Sequence, residues 1–136
     1  MITKKILIDM DGVITNLVTP AMQLMGVPDY KDTMYPPGYS FDIVGACNRL
    51  RKERDLEPVS DKEFWDSFTY DFWASLPSYM LSPALIYAAK HLVGDENVFL
   101  ATSPTLDPQC AAGKLAWVKQ HAPSFIRRTM IGPRKE

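Results

Sequence analysis

Two carboxylates, Asp9 and Asp11, stand two residues apart at the end of a short apolar run, Ile6-Leu7-Ile8, and Gly12 and Val13 follow them. In an extended strand, residues i and i+2 share a face, so the two acids can converge on one spot. Acids held that closely repel each other unless a cation or a shared proton offsets them. Mg²⁺ takes oxygen ligands and bridges carboxylates to phosphate, which makes it the cation such a pair suits. The competing readings are a plain turn and a piece of a calcium loop. The calcium loop needs further acids at alternate positions, and Val13, Ile14 and Thr15 occupy the residues after Gly12 instead. Farther along, Val98-Phe99-Leu100-Ala101 ends in Thr102-Ser103-Pro104. Hydroxyls and amides at the carboxyl end of a strand can hold a phosphate oxygen, or can equally cap the next helix. Lys114 follows within a helical stretch. It is either an ordinary surface lysine or an ammonium that neutralises charge shared by a carboxylate and a phosphate.

These residues need elements to position them. Ile6, Leu7 and Ile8 show no polar face, the pattern of a strand buried on both sides of a parallel sheet, and ligands of open α/β sheets collect at the carboxyl ends of such strands. Leu17, Val18, Met22 and Met25 recur at helical spacing and predict a helix over 15–25. The stretch from Asp29 to Phe41, rich in Tyr, Pro and Gly, reads as loop. A helical pattern with a basic run, Arg49, Arg51, Lys52 and Arg54, covers 41–55, and a solvated helix face explains that run. Ser60 followed by Glu63 has the form of a capping box and should open a helix through Phe64, Trp65 and Phe68. Ser82-Pro83 offers an N-cap with proline in the first turn for a helix that closes near Gly94. A strand over 98–101, a helix from about 108 to His121 with Leu115 and Val118 facing the core, and a third strand over 125–131 complete the plan.

Right-handed crossovers would lay the strands parallel with helices on the faces. The expectation is an α/β fold with a three-layer, Rossmann-like parallel sheet, built from 1–14 and 80–136. A small helical cap, 15–79, is inserted after the first strand. The 136 residues fit one such domain. A net charge of −1 leaves no electrostatic footprint for binding a nucleic-acid polymer. Cys47 and Cys110 lack metal-site spacing and read as reduced thiols of a cytoplasmic protein. The apolar run near the N-terminus is too short for a signal peptide or a membrane span.

The order Ile8-Asp9-Met10-Asp11-Gly12-Val13, then Val98 to Pro104, then Gly113-Lys114-Leu115-Ala116-Trp117-Val118 resembles the haloacid dehalogenase-like superfamily of phosphohydrolases, and within it the 5'(3')-deoxyribonucleotidase branch. The resemblance runs over nearly the whole chain. It implies that Asp9 is a nucleophile that forms an aspartyl-phosphate and that Asp11 is the general acid and base. It implies that Thr102 holds phosphate and that Lys114 balances charge; Ser103, next to Thr102, is a further candidate to touch phosphate. Mg²⁺ would bind Asp9 and the backbone carbonyl of Asp11. The substrate would be a nucleoside monophosphate, in particular a deoxyribonucleotide. Its base would stack on cap aromatics, as aromatic faces do with little sequence preference, and Phe41 and Trp65 are the candidates by position. Most of the other aromatics of 30–73 should simply pack. The alternatives are a phosphatase for another small phosphorylated metabolite and a non-catalytic binding or assembly protein.

One departure bears on activity. The family carries a further acidic pair on a later strand, and here the chain ends at Ile131-Gly132-Pro133-Arg134-Lys135-Glu136 without one. A fragment of a longer protein and a naturally short relative both fit. Both predict an exposed edge on the first strand, a surface on which two copies could pair as a homodimer.

Overall fold

The computed structural model describes residues 4–132. It shows a mixed α/β chain that divides into two compact units: residues up to Asn16 together with those from Thr69 onward, and Leu17–Phe68.

The first unit is built on a parallel three-stranded sheet in the order β1 (Ile6–Asp9), β2 (Val98–Thr102), β3 (Thr129–Ile131). Ile8 pairs in register with Leu100 and Asp9 with Ala101, while Thr102 pairs with Ile131. Strands that run the same way need crossovers, and α5 (Ser82–Val93) and α6 (Pro108–His121) supply them. Right-handed connections in a 1-2-3 order put both helices on one side of the sheet, and the burial follows. Ile8, Val98, Leu100 and Thr102 are all buried, whereas Leu7 and Met130, whose side chains alternate to the other side, are 59% and 54% exposed. The first strand was expected to be buried on both faces. It is not, because among the described residues its outer face is open and β1 is the edge of the sheet. The apolar run of Ile6-Leu7-Ile8 therefore does not report double burial here.

Other expectations shift by local chemistry. The third strand is only Thr129–Ile131, since Pro123–Phe125 form a 3-10 turn. Proline at the head of that turn has no amide for a strand ladder, and the Phe125 carbonyl accepts instead from the Arg128 amide and the Thr129 hydroxyl. Ser82 does not cap α5. It lies inside the helix and donates its hydroxyl to the Ile14 carbonyl at 2.9 Å. On α6, Val118 is buried as expected, but Leu115 is 39% exposed. The buried row there is Cys110, Gly113, Lys114, Trp117 and Val118. A short helix, α4 (Tyr70–Ala74), belongs with the sheet and lies along α6.

The second unit holds α1 (Val18–Leu24), α2 (Ile43–Lys52) and α3 (Asp61–Asp66). The first begins later than the spacing suggested, because Thr15 is drawn into a turn with Asp11. Ser60 and Glu63 form the expected capping box, and α3 ends at Asp66, short of Phe68. Arg51 donates to the Met25 carbonyl and Arg54 to Asp29, so two members of the basic run tie α2 to other parts of this unit. No described helix is long and apolar enough to cross a membrane.

Candidate active site

The chain reverses sharply after β1. The Met10 carbonyl accepts the amides of Val13, Ile14 and Thr15, and Gly12 donates to the Thr15 carbonyl at 2.9 Å. Gly12 has φ of 82°, a left-handed geometry that side chains resist and glycine adopts freely. This hook carries Asp11 past the strand end and holds it against Thr15, whose hydroxyl donates to Asp11 Oδ1 at 3.0 Å.

Lys114 comes to the same place from α6. Its Nζ donates to Asp11 Oδ2 at 2.6 Å, to Thr102 Oγ1 at 2.6 Å and to the Ser103 carbonyl at 3.2 Å. An ammonium has three protons, and each meets an oxygen. Lys114 and Thr102 are almost fully buried, while the Asp11 side chain keeps 24% of its exposure. A buried charge is tolerable only when it is paired and hydrogen-bonded, and this one is both. The Trp73 ring adds a further face, with its centroid 5.1 Å from Nζ.

The fold thus brings Asp11, Thr102, Ser103 and Lys114 together at the carboxyl end of β2. Asp9 closes β1, is exposed, and lies in register with Ala101 beside them. Phe41 and Trp65 belong to the other unit. Phe41 is fully exposed, whereas Trp65 packs edge-on against Phe64 and Phe68. Two further contributors escaped the sequence reading. Thr15 had a faint signal, a hydroxyl four residues after an acid on a sharp turn. Trp73 had none, being one aromatic among many.

Among the described residues no three His, Cys, Asp or Glu side chains are grouped to hold a metal ion. Mg²⁺ nevertheless is commonly held by one or two carboxylates with phosphate and water completing its shell. The donor chemistry at this strand end, the Asp9 carboxylate and the Asp11 carbonyl, is of that kind. The Asp11 carboxylate itself is already occupied by Thr15 and Lys114. Cys110, one turn before Lys114 on α6, is buried, and burial pushes its thiol up, away from the thiolate a nucleophile needs. Comparison of the chain with protein-family models and with curated proteins returns no match.

Proposed function

We propose that this chain is a Mg²⁺-dependent phosphomonoesterase of the haloacid dehalogenase-like kind, acting on nucleoside monophosphates and in particular deoxyribonucleotides. The observation that carries the reading is the buried Lys114 ammonium, bonded at once to an acid from the β1 turn and a hydroxyl from the end of β2. The parallel sheet in the order β1-β2-β3, with its acids and hydroxyls at the carboxyl ends, supports a Rossmann-like core that a third layer would complete. The nucleotide part rests on the motif order of the sequence and on the general readiness of aromatic faces to stack on bases.

The chemistry then runs as follows. A phosphoryl group at the strand ends competes for the Lys114 ammonium and the Thr102 hydroxyl. As Lys114 turns to the phosphate, Asp11 Oδ2 is released to the leaving oxygen. Asp11, an anion while paired with Lys114, takes up a proton from solvent once the ammonium has turned to the phosphate. An Asp9 carboxylate oxygen then attacks phosphorus, the ester P–O bond breaks, and the departing alkoxide takes that proton. Water then attacks the aspartyl-phosphate, giving its proton to Asp11, and Asp9 is regenerated with release of phosphate. A bound Mg²⁺ would supply charge neutralisation between carboxylate and phosphate. Positioning and charge stabilisation are what phosphoryl transfer chiefly requires.

The second reading is a binding or assembly protein, favoured by the open sheet face with Leu7 and Met130 and by the unpaired edge of β1 among the described residues. Phosphate release measured with Mg²⁺ across nucleoside monophosphates and sugar phosphates decides between them. Turnover of nucleotides that Asp9→Asn abolishes, with the fold retained by circular dichroism, is the expected result. A preference for sugar phosphates moves the substrate to another small metabolite. Inertness toward every substrate at high protein and high Mg²⁺ gives the second reading, and activity retained in Asp9→Asn places the nucleophile elsewhere.

A further inference from the structure

We infer that Trp73 is a positioning residue for Lys114, held over the ammonium by a clip between α6 and the segment 70–76. The inference rests on the phosphate-binding reading above and adds to it the device that aims its cation.

The clip is written along one row of α6. Gln109, Gly113 and Trp117 are spaced four apart, so they lie one above another on a single helix face. Each takes hold of the same short segment. Gln109 Oε1 accepts from the Tyr70 amide at 3.1 Å. Trp117 Nε1 donates to the Leu76 carbonyl at 2.8 Å. Between them, Gly113 lets the two backbones meet, since a Cβ there would lie 2.5 Å from Trp73 Cβ and 2.7 Å from the Tyr70 carbonyl oxygen. Helix α4 spans only Tyr70–Ala74, too short to persist without such docking. Its Thr69 side chain takes the Phe72 amide, the Thr69 carbonyl takes that of Trp73, and Gln109 of α6 takes that of Tyr70.

What the docking delivers is a ring. Trp73 is 1% exposed and its indole covers Lys114, the residue directly after the glycine of the clip. An ammonium over an indole face is attracted by the ring quadrupole, more strongly when water is excluded. The three oxygens that Lys114 contacts belong to Asp11, Thr102 and Ser103, the proposed acid and the proposed phosphate-holding residues. The ring occupies a further side, so the ammonium is held among those oxygens.

The test compares Trp73→Phe, which keeps an aromatic face, with Trp73→Leu, which keeps bulk without one. Calorimetric titration with inorganic phosphate and Mg²⁺ reads affinity, and acylation by a water-soluble amine reagent, mapped by mass spectrometry, reads access to Lys114. We expect Trp73→Phe to bind phosphate within about threefold of the parent and Trp73→Leu about tenfold more weakly. Lys114 should be acylated quickly only in Trp73→Leu, at temperatures where both variants are folded. Equal phosphate affinity in parent, Trp73→Phe and Trp73→Leu overturns the inference, as does Lys114 acylation that is equally fast in all three. If Trp73→Leu does not fold, ring-fluorinated tryptophan placed at residue 73 keeps the shape and weakens the quadrupole. Phosphate affinity should then fall with each added fluorine, and a constant affinity overturns the inference in the same way. A parent that binds no phosphate while Trp73 still shields Lys114 is a different failure, that of the phosphatase reading.

Discussion

Two ion pairs, one in each unit, look alike at the level of atoms. Lys114 Nζ lies 2.6 Å from Asp11, and Arg54 Nη2 lies 2.8 Å from Asp29. Their surroundings differ entirely. The first has side chains 3% and 24% exposed, the second 27% and 67%. The Arg54 pair sits in water, where Coulomb attraction is screened and the cost of ordering two side chains nearly cancels it. The Lys114 pair sits where desolvation is expensive and attraction strong, so its worth lies in being complete, and breaking it is what costs. A fold that merely needed stability would do as well with apolar residues in place of the whole pair. A buried lysine bonded to an acid, a hydroxyl and a carbonyl makes sense where an incoming anion will take over some of those bonds.

The sharpest way to break this contrast is Lys114→Met. It keeps the stem and removes the charge, leaving Asp11 and Thr102 without their shared donor. We expect a stability loss of about 3 kcal/mol in urea unfolding, in line with removing one member of a buried pair, together with loss of phosphate binding. Adding Asp11→Asn to Lys114→Met should recover part of that stability and none of the binding. A loss as small as that of a surface pair would mean the ammonium is not strained by burial. A smaller effect is expected from Thr102→Val, which is nearly isosteric and removes one acceptor. It should cost about 1–2 kcal/mol, the usual penalty of leaving a buried donor short of a partner, and should weaken phosphate binding while leaving Lys114 paired with Asp11. Unchanged phosphate affinity in Thr102→Val would confine Thr102 to a structural part.

Much of this was legible in the sequence, and the parts that were not share a cause. The strand ends that carry Asp9 and Thr102, the capping box at Ser60 and Glu63, and the helix over Pro108–His121 are all local signals. Periodicity, turn chemistry and caps report such features directly. The meeting of Lys114 with Asp11 depends on a separation of 103 residues, so only a motif order could suggest it. The failures are also non-local. Leu7 was read as doubly buried because its neighbours are apolar, and whether a second face is covered depends on what packs there. Ser82 has the type and spacing of a cap, but the Ile14 carbonyl claims its hydroxyl from far along the chain. Gly113 reads as a weak point in a helix until the segment 70–76 is laid against it. The unit that carries Phe41 and Trp65 gave the fewest chemical signals, because aromatics serve packing and recognition with the same rings.

The mildest test lies at the exposed pair. Arg54 donates two hydrogen bonds to the Asp29 carboxylate, at 2.8 and 3.1 Å, and this contact, with help from the Asp29 backbone and a weaker pull from Lys31, holds the Asp29 carboxyl below its ordinary value of 3.8. The sign follows from linkage. A carboxyl whose folded pKa is depressed contributes stability above its unfolded value and loses it as the pH falls through the folded one. The pair therefore adds its small share at neutral pH and gives it up only below about pH 4. Arg54→Ala should return the Asp29 titration, followed by carboxyl-carbon NMR, toward 3.8, with the Asp29 backbone hydrogen bond and, less, Lys31 retaining part of the shift. The neutral-pH unfolding midpoint should barely move, because Asp29 remains hydrated once its partner is gone. A midpoint shift comparable to that of Lys114→Met would erase the distinction between the two pairs, and with it the ground for setting the buried charge apart by burial and not by distance.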